Sequence, residues 1–199
     1  MAVLRGAERA WQICATRVAR TALVLLLLLA GLSPVNAGAQ VVAAEYQVKA
    51  AYLLNFARFV EWPARVLPPS APMQIAIVGA DPFGGALEEV LRGQSVNGHS
   101  IQLRHQRWDD VLTPYEIVFI SASEEPHLPE ILRRLGNSSV LTVSDIDRFS
   151  LRGGAIEFRT VGNRVRFDIN RTSAITADLS ISSKLLSVAR AVRESSAVR

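Results

Sequence analysis

Between Glu45 and Trp62 the apolar residues recur at helical intervals. Val48, Tyr52, Phe56 and Phe59 follow a spacing of three to four, and Leu53 and Val60 widen the stripe. The spacing predicts one amphipathic helix, with Glu45 and Lys49 as an i,i+4 ion pair and Pro63 as its stop. Leu67–Pro72 is too dense in proline for helix or sheet. The pattern then turns to short apolar runs. Gln74–Val78, Glu116–Ser121 and Val140–Val143 read as buried strands, and Ile101–Gln106 alternates as a half-buried one. Asp81-Pro82 has the form of a cap and first-turn proline, opening a helix to about Leu91. Asn97-Gly98 marks a tight turn, and Pro126–Leu135 reads as a helix closed by Gly136-Asn137.

The last third alternates with period two. Ala155–Thr160 and Arg164–Asn170 flank Gly162-Asn163, so an antiparallel hairpin is predicted, with Val165, Phe167 and Ile169 on one face. A short helical turn follows Thr172. Ser182 caps a final helix to about Arg193, with Leu185, Leu186, Ala189 and Val192 inward. Together these elements predict a three-layer α/β sandwich: a mixed sheet that includes the C-terminal hairpin, with helices on both faces.

The N-terminus belongs to a different pattern. Ala22–Leu32 is apolar and free of charge, preceded by Arg5, Arg9, Arg17 and Arg20 and followed by Pro34 and the small-x-small triplet Ala37-Gly38-Ala39. This is the form of a secretory signal peptide over residues 1–39, leaving a domain at 40–199. The run is short for a bilayer, which takes roughly 20 apolar residues, so an uncleaved anchor is the weaker reading. The leader changes the charge balance. It holds four Arg and one Glu, so of the 22 basic and 18 acidic residues, 18 and 17 remain. A nearly neutral domain without a basic, aromatic-studded patch has no electrostatic footprint for nucleic acid. Cys14, the single cysteine, leaves with the leader, which excludes disulfides, thiol catalysis and Cys-ligated metal.

Catalytic signatures are missing: there is no G-x-S-x-G, H-E-x-x-H, G-K-[ST] or G-x-G-x-x-G. No catalytic residue, metal site or cofactor is predicted. Gly79–Gly85 reads as a tight strand-to-helix connection sooner than as an anion cradle. His99, His105 and His127 lack metal spacing. Asp109-Asp110 and Glu124-Glu125 read as solvated loop charge, and Asp145 and Asp147 as turn or capping residues just past a strand end. The candidate binding residues are five. Arg58, Arg164 and Arg166 clamp an anion if their faces converge, while Tyr52 and Trp62 are aromatics available to a partner or a second copy.

Several segments in order resemble the YfiR family of exported proteins. These are Glu45–Pro63, Ile75–Gly79 with Asp81–Gly84, Leu141–Asp145, Arg152–Ile156, Arg166–Asn170 and Ile181–Leu186. The resemblance spans nearly all of the chain after the leader. It implies a periplasmic α/β protein, often dimeric, with no established catalysis. It further implies repression of an inner-membrane diguanylate cyclase through that enzyme's periplasmic sensor region, relieved by an outer-membrane lipoprotein. The expected function is a periplasmic regulatory binding protein acting on a membrane-bound signalling enzyme, a cyclase or a sensor kinase. A periplasmic small-ligand sensor is the alternative.

Overall fold

The computed structural model describes residues 37–136 and 138–194. The leader's apolar run and basic flank lie outside them. Helix α1 (Ala37–Phe59) leads into a two-residue strand β1 (Val60–Glu61). Then follow β2 (Met73–Val78), α2 (Ala86–Leu91), β3 (Ser95–Val96), β4 (His99–Gln106) and β5 (Ile117–Ile120). A 3-10 stretch (Ala122–His127) runs into α3 (Leu128–Leu135), and β6 (Leu141–Ser144) precedes a second 3-10 turn, Phe149–Arg152. The chain ends with β7 (Ile156–Val161), β8 (Arg164–Asn170), α4 (Arg171–Thr176), β9 (Ser180–Ile181), α5 (Ser183–Val188) and β10 (Ala191–Arg193).

Eight strands form one mixed sheet in the order β10-β8-β7-β6-β5-β2-β4-β3. The five from β4 to β7 are parallel, β7 and β8 make the antiparallel hairpin, and β10 lies parallel to β8. Strand alternation divides the central residues between two cores. Ile75, Ile77, Ile117, Phe119, Leu141 and Val143 face α1 and α2, whereas Ala76, Val78, Val118 and Ile120 face α3 through Leu128, Ile131 and Leu135. The three-layer expectation holds. Among the described residues, no helix is long and apolar enough to cross a membrane.

Three boundaries differ from the sequence pattern, each for a physical reason. Helix α1 buries Lys49, Leu53, Phe56 and Ala57, while Val48 is 45 % exposed, so its inward stripe is rotated from the one expected. It also stops at Phe59, because Val60–Glu61 pair with Ile181 and Ser180 instead. Helix α2 starts four residues late: Gly84 and Gly85 take φ of 56° and 91°, outside helical space, and Asp81 caps only a turn by accepting from Phe83 N at 2.7 Å. The last helix is short. Ser182 caps it as expected, accepting from Leu185 N at 3.3 Å, but Ala189 is extended and the chain re-enters the sheet as β10, leaving Val192 42 % exposed. A strand there satisfies Asp168, which is buried on the neighbouring β8 and bonded by Arg190.

Gly154 marks the tightest approach. A Cβ at this position would stand 2.0 Å from the ring of Phe149, which is fully buried and has nowhere to go. Gly154→Ala is expected to cost about 2 kcal/mol through overpacking, seen as a lower urea midpoint with unchanged slope. An unchanged midpoint would show that the ring yields.

Candidate functional site

The topological switch point of the sheet lies between β2 and β5, where open α/β folds usually take ligands. Here it is closed. Ser123 and Glu124 pack against Gly79 so tightly that a Cβ there would sit 2.4 Å from Ser123 Oγ. The turn's amides are spent locally: Gly79 N donates to Gln106 O, Ala80 N to Ser123 Oγ and Phe83 N to Asp81 Oδ1. The Gly79–Gly85 segment is thus a structural connection.

A cavity of about 460 Å³ opens instead at the carboxyl end of β6, between α1 and β7. Helical spacing puts Lys49 in line with Leu53 on the face of α1 that meets the sheet, so its stem is buried and its ammonium reaches past the strand end. Lys49 Nζ lies 2.6 Å from Asp145 Oδ2 and 2.7 Å from Glu45 Oε1, and 4.1 Å over the Tyr46 ring. The Tyr46 hydroxyl donates to the same Asp145 oxygen at 2.8 Å. Burial first, and then the bond to Asp145, push the Tyr46 hydroxyl far up, so it stays a proton donor. Asp145 Oδ1 is buried without a partner among the described residues.

On the cavity's far wall, Glu157 ties β7 to the Phe149–Arg152 turn. It accepts from Ser150 N and Oγ at 3.0 and 2.6 Å, from Arg148 N at 3.1 Å and from Arg159 Nη1 at 2.7 Å. Burial raises this carboxyl, but the Ser150 and Arg159 bonds outweigh it and hold it below the ordinary carboxylate range. Arg159 also meets Asp147 at 2.8 Å. Four carboxylates and two cations line the cavity. Such a charge-rich wall suits a ligand that brings a cation or hydrogen-bond donors.

A groove of about 630 Å³ lies next to the cavity, between the first turns of α1 and the β7–β8 hairpin. Val41, Val48, Tyr52, Val165, Arg164 and Arg166 line it. The hairpin is as expected, with Gly162 and Asn163 at φ of 54° and 59° in a turn matched to strand twist. Arg166 stands opposite Arg159, whose charge Glu157 and Asp147 neutralise. Arg164 and Arg166 are exposed and make no ion pair among the described residues.

Of the five residues chosen from sequence, the fold thus brings Tyr52, Arg164 and Arg166 to one groove. Tyr52 is half-buried, its ring centroid 5.3 Å from that of Phe167. Arg58 and Trp62 lie elsewhere: Arg58 donates to Gln94 Oε1 at 2.9 Å, and Trp62 Nε1 to Glu116 O at 3.1 Å. The Arg58 and hairpin faces do not converge. Sequence reasoning missed the Lys49–Asp145 contact. The signal available was a lysine on an otherwise apolar helix face together with an aspartate one step past a buried strand.

The fold and these two openings define an α/β domain with a charge-lined cavity beside an arginine-flanked apolar groove. The family model described as YfiR/HmsC-like matches residues 46–190, and the chain belongs to that family. No curated protein sequence matches it. Among solved structures, a conserved domain protein from Vibrio cholerae O1 biovar El Tor has 9 % identity and a TM-score of 0.48. The match covers 65 % of this chain and 57 % of that one, so this chain spans little more than half of its length.

Lys49→Met leaves the largely buried Asp145 carboxylate without its cation, with only the Tyr46 hydroxyl still donating to it, and a loss of about 3–5 kcal/mol is expected. Adding Asp145→Asn should recover part of it in chemical denaturation; additive losses would show that the pair is not coupled. Glu157 gives a pH test. Its folded pKa is depressed, so its stabilisation is present above the ordinary carboxylate range and lost as pH falls through and below it. Glu157→Gln is therefore expected to destabilise at pH 7 and to flatten the acid limb of the stability profile. Parallel profiles would contradict this.

Proposed function

We propose that this protein is exported to the periplasm, with cleavage near Ala39, and acts there as a regulatory binding protein. Its target is a membrane-bound signalling enzyme, a diguanylate cyclase or sensor kinase, which it modulates through the enzyme's periplasmic sensor region. Membership of the YfiR/HmsC-like family, whose members are periplasmic regulators, carries this reading. A periplasmic protein has no access to cytoplasmic messengers, so any control of cyclic-di-GMP has to pass through a membrane-spanning partner. An outer-membrane lipoprotein that competes for this chain, and self-association into a dimer, belong to the same proposal.

The α1–hairpin groove supplies a surface of the right character. Exposed Val41 and Val48 offer apolar anchor points beside Val165, and Arg164 and Arg166, which make no ion pair among the described residues, favour an acidic segment on the partner. A second reading, a small-ligand sensor, draws support from the neighbouring cavity and the unpartnered Asp145 Oδ1.

Capture from detergent-solubilised membranes of the source cells tests the proposal. The wild-type chain is expected to retain an inner-membrane cyclase or kinase, and deletion of its gene to change cellular cyclic-di-GMP. Arg164→Glu with Arg166→Glu is expected to weaken capture at least ~10-fold without moving the melting temperature. No captured signalling protein together with unchanged cyclic-di-GMP would overturn it.

A further inference from the structure

Resting on the α1–hairpin groove as the partner's docking surface, we propose that the partner docks there as an added β-strand on the open edge of β8. The docked segment is extended, with apolar and acidic residues in alternation. The backbone of β8 shows where the edge is open. Asn170 N donates to Ala155 O at 2.8 Å, so Asn170 turns its peptide groups towards the β7 side. Phe167 O accepts from Arg190 N at 2.8 Å, so Phe167 turns its own towards β10. Strand alternation puts the N–H and C=O of Val165 on the β10 side as well. Strand β10, however, pairs only with Asp168–Asn170. Beside Val165 the row that β10 begins has no strand among the described residues.

The same alternation sorts the side chains. Val165 shares a face with Phe167 and packs against the core, while Arg164 and Arg166 lie on the opposite face and are exposed. A strand added along this edge alternates in step. Its inward residues enter the groove against Val48 and Tyr52 of α1, where apolar side chains fit. Its outward residues lie beside Arg164 and Arg166, which make no ion pair among the described residues, and there acidic side chains are stabilised.

The arginines also decide against a second copy of this chain. Two β8 edges paired antiparallel about Val165 would set Arg164 against Arg166, and like charges directly opposite are destabilising. Strand β4 is open too, since β3 pairs only with its His99 and Ser100. It contributes no residue to the groove, so an added strand there would lack the apolar wall that α1 supplies.

A synthetic peptide of about seven residues, alternating Val and Glu, serves as the probe. Its control has the same composition arranged in two blocks. The alternating peptide is expected to bind the purified protein and to slow exchange of the Val165 amide at least ~10-fold. The block peptide is expected to bind at least ~10-fold more weakly. Methylating one alternate set of peptide amides should abolish binding and methylating the other should leave it, because only one set faces β8. Arg164→Glu with Arg166→Glu is expected to reject the peptide at an unchanged melting temperature. No binding, equal binding of the two peptides, indifference to which set is methylated, or protection in Ile101–Gln106 of β4 in place of Val165 would each overturn the added strand. Any of these results alongside membrane capture that the arginine variant weakens would overturn the strand and leave the docking surface standing. Peptide binding without capture would support the strand and count against the signalling partner.

Discussion

Phe56 lies between Phe158 and Phe167, with ring centroids 5.6 and 5.1 Å away, and through this contact the first helix is bound to the last hairpin. Tyr52 extends the cluster on one side, while Tyr46 continues through Phe83 to Phe119 in the middle of the sheet. Truncating a buried phenylalanine typically costs about 3–5 kcal/mol, a large part of the ~5–15 kcal/mol that holds a domain folded. With no cysteine after residue 14, packing has to supply that stability. The aromatic seam therefore sets where α1 lies, and the position of α1 sets everything that faces it.

The cavity and the groove both follow from that placement. Once α1 packs on the sheet, Lys49 is buried on the same face, and its ammonium must find a charge at the strand ends. Asp145 provides it, with Glu45 and the Tyr46 ring around it. A buried pair of this kind contributes little net stability, but it fixes the register in which α1 meets β6. On the other side of α1, the hairpin extends past the helix and leaves Val48 and Tyr52 facing Val165 across open space. The groove is apolar with two arginines at its rim, whereas the cavity beside it is lined by charge.

The fold class was legible because it depends on periodicity. The β7–β8 hairpin, the Asn97-Gly98 turn and the Ser182 cap are written in local chemistry, and they form as that chemistry requires. Two of the three misplaced ends depended on distant partners. Nothing near Val60 says that it will pair with Ile181, and nothing near Arg190 says that Asp168 is buried beside it. The same limit applies to the sites. Tyr52, Arg164 and Arg166 were chosen by residue type, and the sheet brought them together. Lys49 and Asp145 lie 96 residues apart and are joined only because α1 packs across the end of β6.

The groove keeps its shape only while α1 is a fixed wall, fastened by the aromatic seam. Native-state hydrogen exchange measures this directly. Amides from Leu53 to Phe59 are expected to exchange only through global unfolding, with the same free energy as those of Phe167–Ile169 in β8. Exchange of the α1 amides at a much lower free energy than the sheet, with the sheet still protected, would show that the helix detaches on its own and would contradict the account.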